Sequence, residues 1–137
     1  MALNVEIITP EGKLLTREVD SVVIPTANGD TGILPGHIPL ITKVCRGELK
    51  LVSGGTADLI AVDDGFAEVI GDRVAILTEG AVDIEDIDLG SVEEAQRRAE
   101  AALEEARQSN MDPDELEHLE TRIQFLITQK LLKETRR

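Results

Sequence analysis

Few side chains in this chain of 137 residues are equipped for covalent or acid–base chemistry. Asp63 and Asp64 stand side by side in DDG, and paired carboxylates are what general acid–base hydrolysis needs. Their position between two strand-like runs, TADLIAV and FAEVI, favours an ordinary hairpin turn instead. His37 lies in a Gly- and Pro-punctuated run. His118 sits beside an apolar helical stripe within acidic surroundings, where a solvated residue is expected. Cys45 is the sole cysteine, which excludes an internal disulfide and any multi-cysteine metal site. Its apolar neighbourhood, Leu40 to Val44, reads as that of a small core residue. GxxxxGK[ST], HExxH and GxSxG are all missing, as is any spaced Cys or His cluster. The residues therefore require no metal, no cofactor and no catalytic group.

What remains is docking chemistry, and GDTGILPGHIPL, from Gly29 to Leu40, is its best candidate. Gly29, Gly32 and Gly36 permit positive φ, while Pro35 and Pro39 fix φ and restrict the residues before them. The run reads as a loop held rigid without helix or ladder, carrying Ile33, Leu34, Ile38 and Leu40 as apolar contacts. An ordered apolar loop lacking a nucleophile or a phosphate anchor suits a protein partner.

Composition narrows the partner. Net charge is -13, from 27 acidic and 14 basic residues, which argues against nucleic acid because such binding rests on cations neutralising phosphates. Basic or apolar partners fit better. No apolar run is long enough to span a bilayer, and MALNVEIITPEGK lacks the features of a signal peptide, so a soluble protein that stays in its compartment of synthesis is expected.

Two periodicities divide the chain. From Leu3 to about Thr78 the runs are short, β-branched and bounded by turns, with alternation at Leu3, Val5, Ile7 and at Leu49, Leu51. Strands without helical cover pack on one another, so a β-sandwich or flattened barrel over residues 1–87 is predicted. After about Asp88 the spacing becomes helical. One helix is predicted from Ser91 to Gln108, with Ser91 and Glu94 at capping-box spacing and an Ala-rich stripe. A second follows Asp112 as N-cap and Pro113 as first residue, with Met111 placed to staple onto Leu116. Leu116, Leu119, Ile123, Leu126, Ile127 and Leu131 form its stripe. The short linker QSNMDP makes an antiparallel two-helix hairpin over residues 88–137, and the fold class is α+β.

Charge is split within this arm. Residues 88 to 120 carry three arginines against eleven acids, net -8; residues 121 to 137 carry Arg122, Lys130, Lys133, Arg136 and Arg137 against Glu134, net +4. Acids at helix starts and bases at helix ends account for part of this. The bases continue to the chain end, which suits an acidic partner. The second helix offers about six large apolar residues, each worth at most ~3 kcal/mol, against an ordering cost of ~1–2 kcal/mol per residue. Docking of the arm is then only modestly favourable, and an extended arrangement on a partner competes with it.

GDTGILPGHIPL, with LNVEIITPEGKLL, EVDSVVIPT, DDGFAEVIGDRVAILTE and a helical arm after DIDL, resembles the epsilon subunits of F-type ATP synthases along nearly the whole chain. The wording of the opening and of PTANGDTGILPGH looks nearest to the cyanobacterial and chloroplast branch. The resemblance implies a non-catalytic rotor subunit whose sandwich binds the gamma subunit and the c-ring, with Asp30, Thr31, Gly32, Ile33, Leu34, Pro35, Gly36 and His37 at those contacts. It implies that the hairpin can extend toward the alpha and beta subunits and inhibit ATP hydrolysis, with Arg122, Lys130, Lys133, Arg136 and Arg137 meeting an acidic segment of beta. A peripheral position on the cytoplasmic or stromal face of an energy-transducing membrane, thylakoid for that branch, goes with it. Some bacterial members bind ATP through [IL]DxxRA. Here Ile87, Asp88, Leu89, Gly90, Ser91 and Val92 keep the acid and lose the arginine, leaving Asp88, Arg97 and Arg98 as a remnant and implying weak or absent ATP binding. A free-standing sandwich adaptor for another partner is the alternative reading.

Overall fold

The computed structural model describes residues 2–135. The chain divides into two compact units, with the division between Ile84 and Glu85. Among the described residues the first unit contains β1 (Leu3–Thr9), β2 (Gly12–Val19), β3 (Ser21–Thr26), β4 (Gly29–Ile33), β5 (Leu40–Val44), β6 (Gly47–Ser53), β7 (Thr56–Val62), β8 (Gly65–Ile70), β9 (Arg73–Thr78) and β10 (Ala81–Asp83). They hydrogen-bond in the order β10-β7-β6-β3-β5-β8-β9-β1-β2, with β4 paired to β3 off this path.

The sheet turns on itself at β3. That strand pairs along its length with β4, through Ser21 to Val23 with β6, and through the single partner pair Thr26 and Val44 with β5. Two antiparallel-rich layers result, and β1 alongside β9 supplies a parallel pairing. An ion pair between Arg17 on β2 and Asp58 on β7 links strands far apart in that path, so the sandwich is nearly closed. Backbone pairing still stops at β10 and β2, the two ends of that order, so the near-closure rests on side chains.

Register explains the core. Opposite partners Val5 with Val74, Ile7 with Ile76, Ala67 with Ile76 and Val69 with Val74 place one side chain of every second residue inward. Leu3, Val5, Ile7, Val22, Ile24, Ile33, Leu49, Val62, Ala67, Val69 and Ile76 are fully buried in a single aliphatic cluster. Val19, Val44, Leu51, Ile60 and Val74 complete it.

The second unit is a helical hairpin preceded by a 3-10 turn, Ile84–Asp86. Helix α1 is Leu89–Gln108 and α2 is Pro113–Thr135. The cap of α1 is Asp88, whose carboxylate accepts from the Gly90 N–H at 3.1 Å. The Ser91 cap predicted from its spacing to Glu94 is not used. Ser91 lies inside the first turn and donates its hydroxyl to Asp88 at 2.9 Å, because an aspartate three residues earlier competes better for the free N–H groups. Asp112 caps α2 as expected, accepting from the Asp114 N–H at 2.9 Å. Between the helices Asn110 takes φ 56°, a left-handed geometry asparagine tolerates after a helix. Val92, Ala99 and Ala106 of α1 are buried, as are Ile123 and Leu126 of α2. Leu131, assigned to the α2 stripe by its spacing, is 57% exposed.

Two further sequence expectations give way. The DDG turn is no hairpin: β7 pairs with β6 and β10, whereas β8 pairs with β5 and β9, so Asp63 and Asp64 carry the chain between strands that are not partners. Cys45 is only partly buried, its N–H donating to Pro25 O at 2.9 Å.

Candidate docking sites

Only half of the Gly29 to Leu40 run is loop. Its first five residues are β4, held antiparallel to β3 from Thr26 opposite Gly29 to Val22 opposite Ile33. The hairpin tip is stiffened by Thr26, whose hydroxyl donates to Gly29 O at 2.6 Å and accepts from the Asn28 N–H at 3.3 Å. Gly29 needs its freedom, with φ 100°. Gly32 does not, because it lies in the ladder opposite Val23, and a Cβ there would meet nothing within 4 Å.

This ladder corrects the expectation for Ile33. Strand alternation turns it into the core, where it is 0% exposed, so its side chain anchors the segment and is not offered to a partner. Asp30 and Gly32 are exposed on β4 and Thr31 is half-buried beside Thr26.

The true loop runs from 34 to 39. The His37 N–H donates to Leu34 O at 3.1 Å, closing a turn with Pro35 and Gly36 at its centre. Gly36 has φ 88°, the left-handed second central position that glycine fills in a type II turn. His37 Nδ1 lies 2.6 Å from Ile38 O. A carbonyl only accepts, so Nδ1 carries the proton and the ring is tied back to its own backbone. The turn thrusts out Leu34, 64% exposed, and Ile38, 74% exposed. Two large aliphatic side chains are thus exposed on one short hydrogen-bonded turn.

The basic residues of α2 are not equivalent. Lys130 Nζ lies 3.7 Å from Glu93 Oε1 on α1, and Lys133 Nζ donates to Glu85 O at 3.2 Å. Arg122 is exposed and has no ion pair among the described residues. Arg136 and Arg137 lie outside the described residues.

Asp88, Arg97 and Arg98 do not converge. Both Asp88 carboxylate oxygens are engaged, one by the Gly90 N–H and the other by the Ser91 hydroxyl. Arg97 and Arg98 are exposed on α1 about 14 Å further along the helix axis.

Sequence reasoning missed a network around Asp63. Arg46 donates from Nε to Asp63 Oδ1 at 2.9 Å and from Nη2 to Asp64 Oδ2 at 3.3 Å, while its backbone N–H donates to Asp64 Oδ1 at 2.9 Å. The buried Thr78 hydroxyl lies 2.7 Å from Asp63 O. Both carboxylates are thus committed to one guanidinium and to backbone, which is a structural clamp and not an acid–base pair. The basic residue Arg46, eighteen positions before Asp64 and flanked by Gly47, was a signal that spacing alone left unread.

No group of His, Cys, Asp or Glu among the described residues is arranged to hold a metal, and no described helix is long and apolar enough to cross a membrane. Comparison with known proteins agrees with the fold. Residues 2–84 match the family model described as ATP synthase, Delta/Epsilon chain, beta-sandwich domain. The ATP synthase epsilon chain of Halalkalibacterium halodurans is 44% identical over 110 residues, spanning 80% of this chain and 83% of that one. The epsilon chain of Alkalihalophilus pseudofirmus is 39% identical over 110 residues with the same coverage, 80% and 83%. A chain in the cryo-EM structure of Euglena gracilis mitochondrial ATP synthase, OSCP/F1/c-ring in rotational state 1, superposes with TM-score 0.65 at 28% identity, covering 98% of this chain and 81% of its own. With a sandwich of this topology, a matched family model over its whole extent and these relatives, the chain belongs to the ATP synthase delta/epsilon chain family.

Proposed function

We propose that this chain is the non-catalytic central-stalk subunit of an F-type ATP synthase, docking through the Leu34 to Ile38 turn and restraining ATP hydrolysis through its helical arm. Its relatives carry the name ATP synthase epsilon chain, and a solved ATP synthase assembly with F1 and c-ring contains a chain of the same fold. The observation that carries the docking assignment is the pair of exposed aliphatic side chains, Leu34 and Ile38, on a turn whose backbone is fixed. Rigid apolar contact transmits torque without catalytic groups. Gamma and the c-ring are the partners of this turn; alpha and beta are those of the arm when it extends. Asp30, Thr31 and Gly32 flank the contact on β4, and Arg122, Lys130 and Lys133, continued by Arg136 and Arg137, form the inhibitory basic face.

Reconstitution tests both halves. A chain ending at Asp88 should still bring down gamma while ATP hydrolysis by the complex rises. Failure to recover gamma sinks the rotor reading and favours an adaptor for another protein. Unchanged hydrolysis removes the inhibitor role alone.

Nucleotide binding is weak or absent in this reading, because Asp88 is consumed as a helix cap and no arginine stands where the ATP-binding pattern needs one. Micromolar affinity for ATP in calorimetry of the full chain contradicts it. The site of action is the face of an energy-transducing membrane. A thylakoid setting follows only from the cyanobacterial wording of the opening segments, whereas the relatives described above are bacterial epsilon chains from Halalkalibacterium and Alkalihalophilus. Photosynthesis genes in the source genome decide it.

A further inference from the structure

The cations of α2 fall into two sets according to where the hairpin places them. Ile123 and Leu126 are buried, and Lys130 and Lys133 continue the same stripe at steps of four and three residues. Both lysines therefore lie on the seam side of α2, and both are half-buried. Lys130 is ion-paired to Glu93 at 3.7 Å, and Lys133 donates to Glu85 O at 3.2 Å. These partners stand near the start of the arm, so the two ties close the open end of the hairpin. At the turn end the polarity is reversed: Arg107 of α1 pairs with Glu120 of α2 at 3.3 Å. Arg122, four residues before Leu126, is exposed in the folded hairpin and has no ion pair among the described residues.

We propose that Glu93 is an internal competitor for Lys130, holding that ammonium on the folded hairpin and releasing it to an acidic partner surface only when α2 parts from α1. The inference rests on the inhibitory reading of the arm and adds its gate. A helix swinging about the turn moves farthest at the open end, so the Glu93 and Glu85 ties break before the Arg107 tie. Arg122 makes the first encounter because it is available in either arrangement. Lys130 and Lys133 join only after opening, so engagement of the partner and closure of the hairpin are mutually exclusive uses of the same two charges. An exposed carboxylate is suited to such a gate, since a pair of this kind is weak and screened by salt.

The test uses the full chain reconstituted with gamma and the catalytic subunits, comparing Glu93→Gln, Glu94→Gln, the wild type and the chain ending at Asp88. Glu94 is exposed one position away and carries the same charge, so it controls for net charge. Glu93→Gln should strengthen inhibition of hydrolysis about two- to five-fold at low salt, the range for loss of one exposed ion pair. Glu94→Gln should leave it unchanged, and high salt should erase the difference. In the free chain, amide hydrogen exchange in the last turns of α2 should quicken by the same factor for Glu93→Gln alone. Equal effects of the two substitutions overturn the gate, as does faster exchange with unaltered inhibition. If those occur while removal of the arm still raises hydrolysis, the inhibitory reading survives without the gate; if removal of the arm also changes nothing, both fall.

Discussion

Two glycines in this protein answer to different constraints. At Gly65 a Cβ would lie 1.9 Å from Leu77 O, backbone against backbone, so no side chain fits without separating β8 from β9. Gly65→Ala should cost more than ~3 kcal/mol, read as a lowered midpoint in chemical denaturation. At Gly32 a Cβ meets open space and the backbone φ is not left-handed. Gly32→Ala should therefore leave stability within ~0.5 kcal/mol while weakening the association with gamma and the c-ring, because bare backbone on a strand suits the close approach of another chain. Normal association would remove Gly32 from the docking surface. Asp63 belongs with Gly65: it is 5% exposed and its partner Arg46 is largely covered as well. Asp63→Ala should destabilise by about 1–3 kcal/mol, since it removes the acceptor of the Arg46 Nε–H and of the Asp64 N–H and leaves Arg46 only its longer contact to Asp64, and thermal unfolding of the purified variant measures this.

Elements show where short-range chemistry decides and where it does not. The start of α2 is dictated locally: Asp112 caps, Pro113 fits the first turn and acids follow at Asp114 and Glu115. Asp112→Ala should cost about 1 kcal/mol, visible as a small loss of helicity and a lower melting temperature of the arm. The turn after β4 is equally local, set by Pro35 and Gly36, and docking is the role proposed for it. Replacing Leu34 and Ile38 together by Ser removes two exposed aliphatic contacts worth ~1.5 kcal/mol each, so affinity for the gamma and c-ring assembly should fall about 100-fold with the sandwich unaltered. Binding measured on immobilised rotor, with circular dichroism of the variant as the control, separates the two. A smaller loss assigns the contact elsewhere on the sandwich.

At the scale of the whole molecule, the fully buried aliphatic cluster is built entirely from residues Leu3 to Ile76, without a contribution from the helices. A chain ending at Asp88 should therefore unfold cooperatively on its own, and loss of a sharp denaturant transition would refute that. The helices have a seam of a few buried residues, small on α1 and larger on α2, tied by exposed ion pairs. That distribution of burial gives the sandwich a core of its own and leaves the hairpin few buried residues, which is the basis of the second arrangement proposed for the arm.

Period and punctuation in the chain were enough to set the sandwich-then-hairpin order, the Asp112 cap, the Pro35 and Gly36 turn and the charge contrast within the arm, because each depends on residues within a few positions of one another. Long-range pairing decided the rest. The capture of GDTGI by β3 turned Ile33 inward, the partner choice of β7 and β8 made DDG a crossing held by Arg46, and the antiparallel register brought Glu93 to Lys130. These contacts join residues far apart in the chain, and only closure of the sheet and of the hairpin determines which distant strand or helix turn supplies the partner.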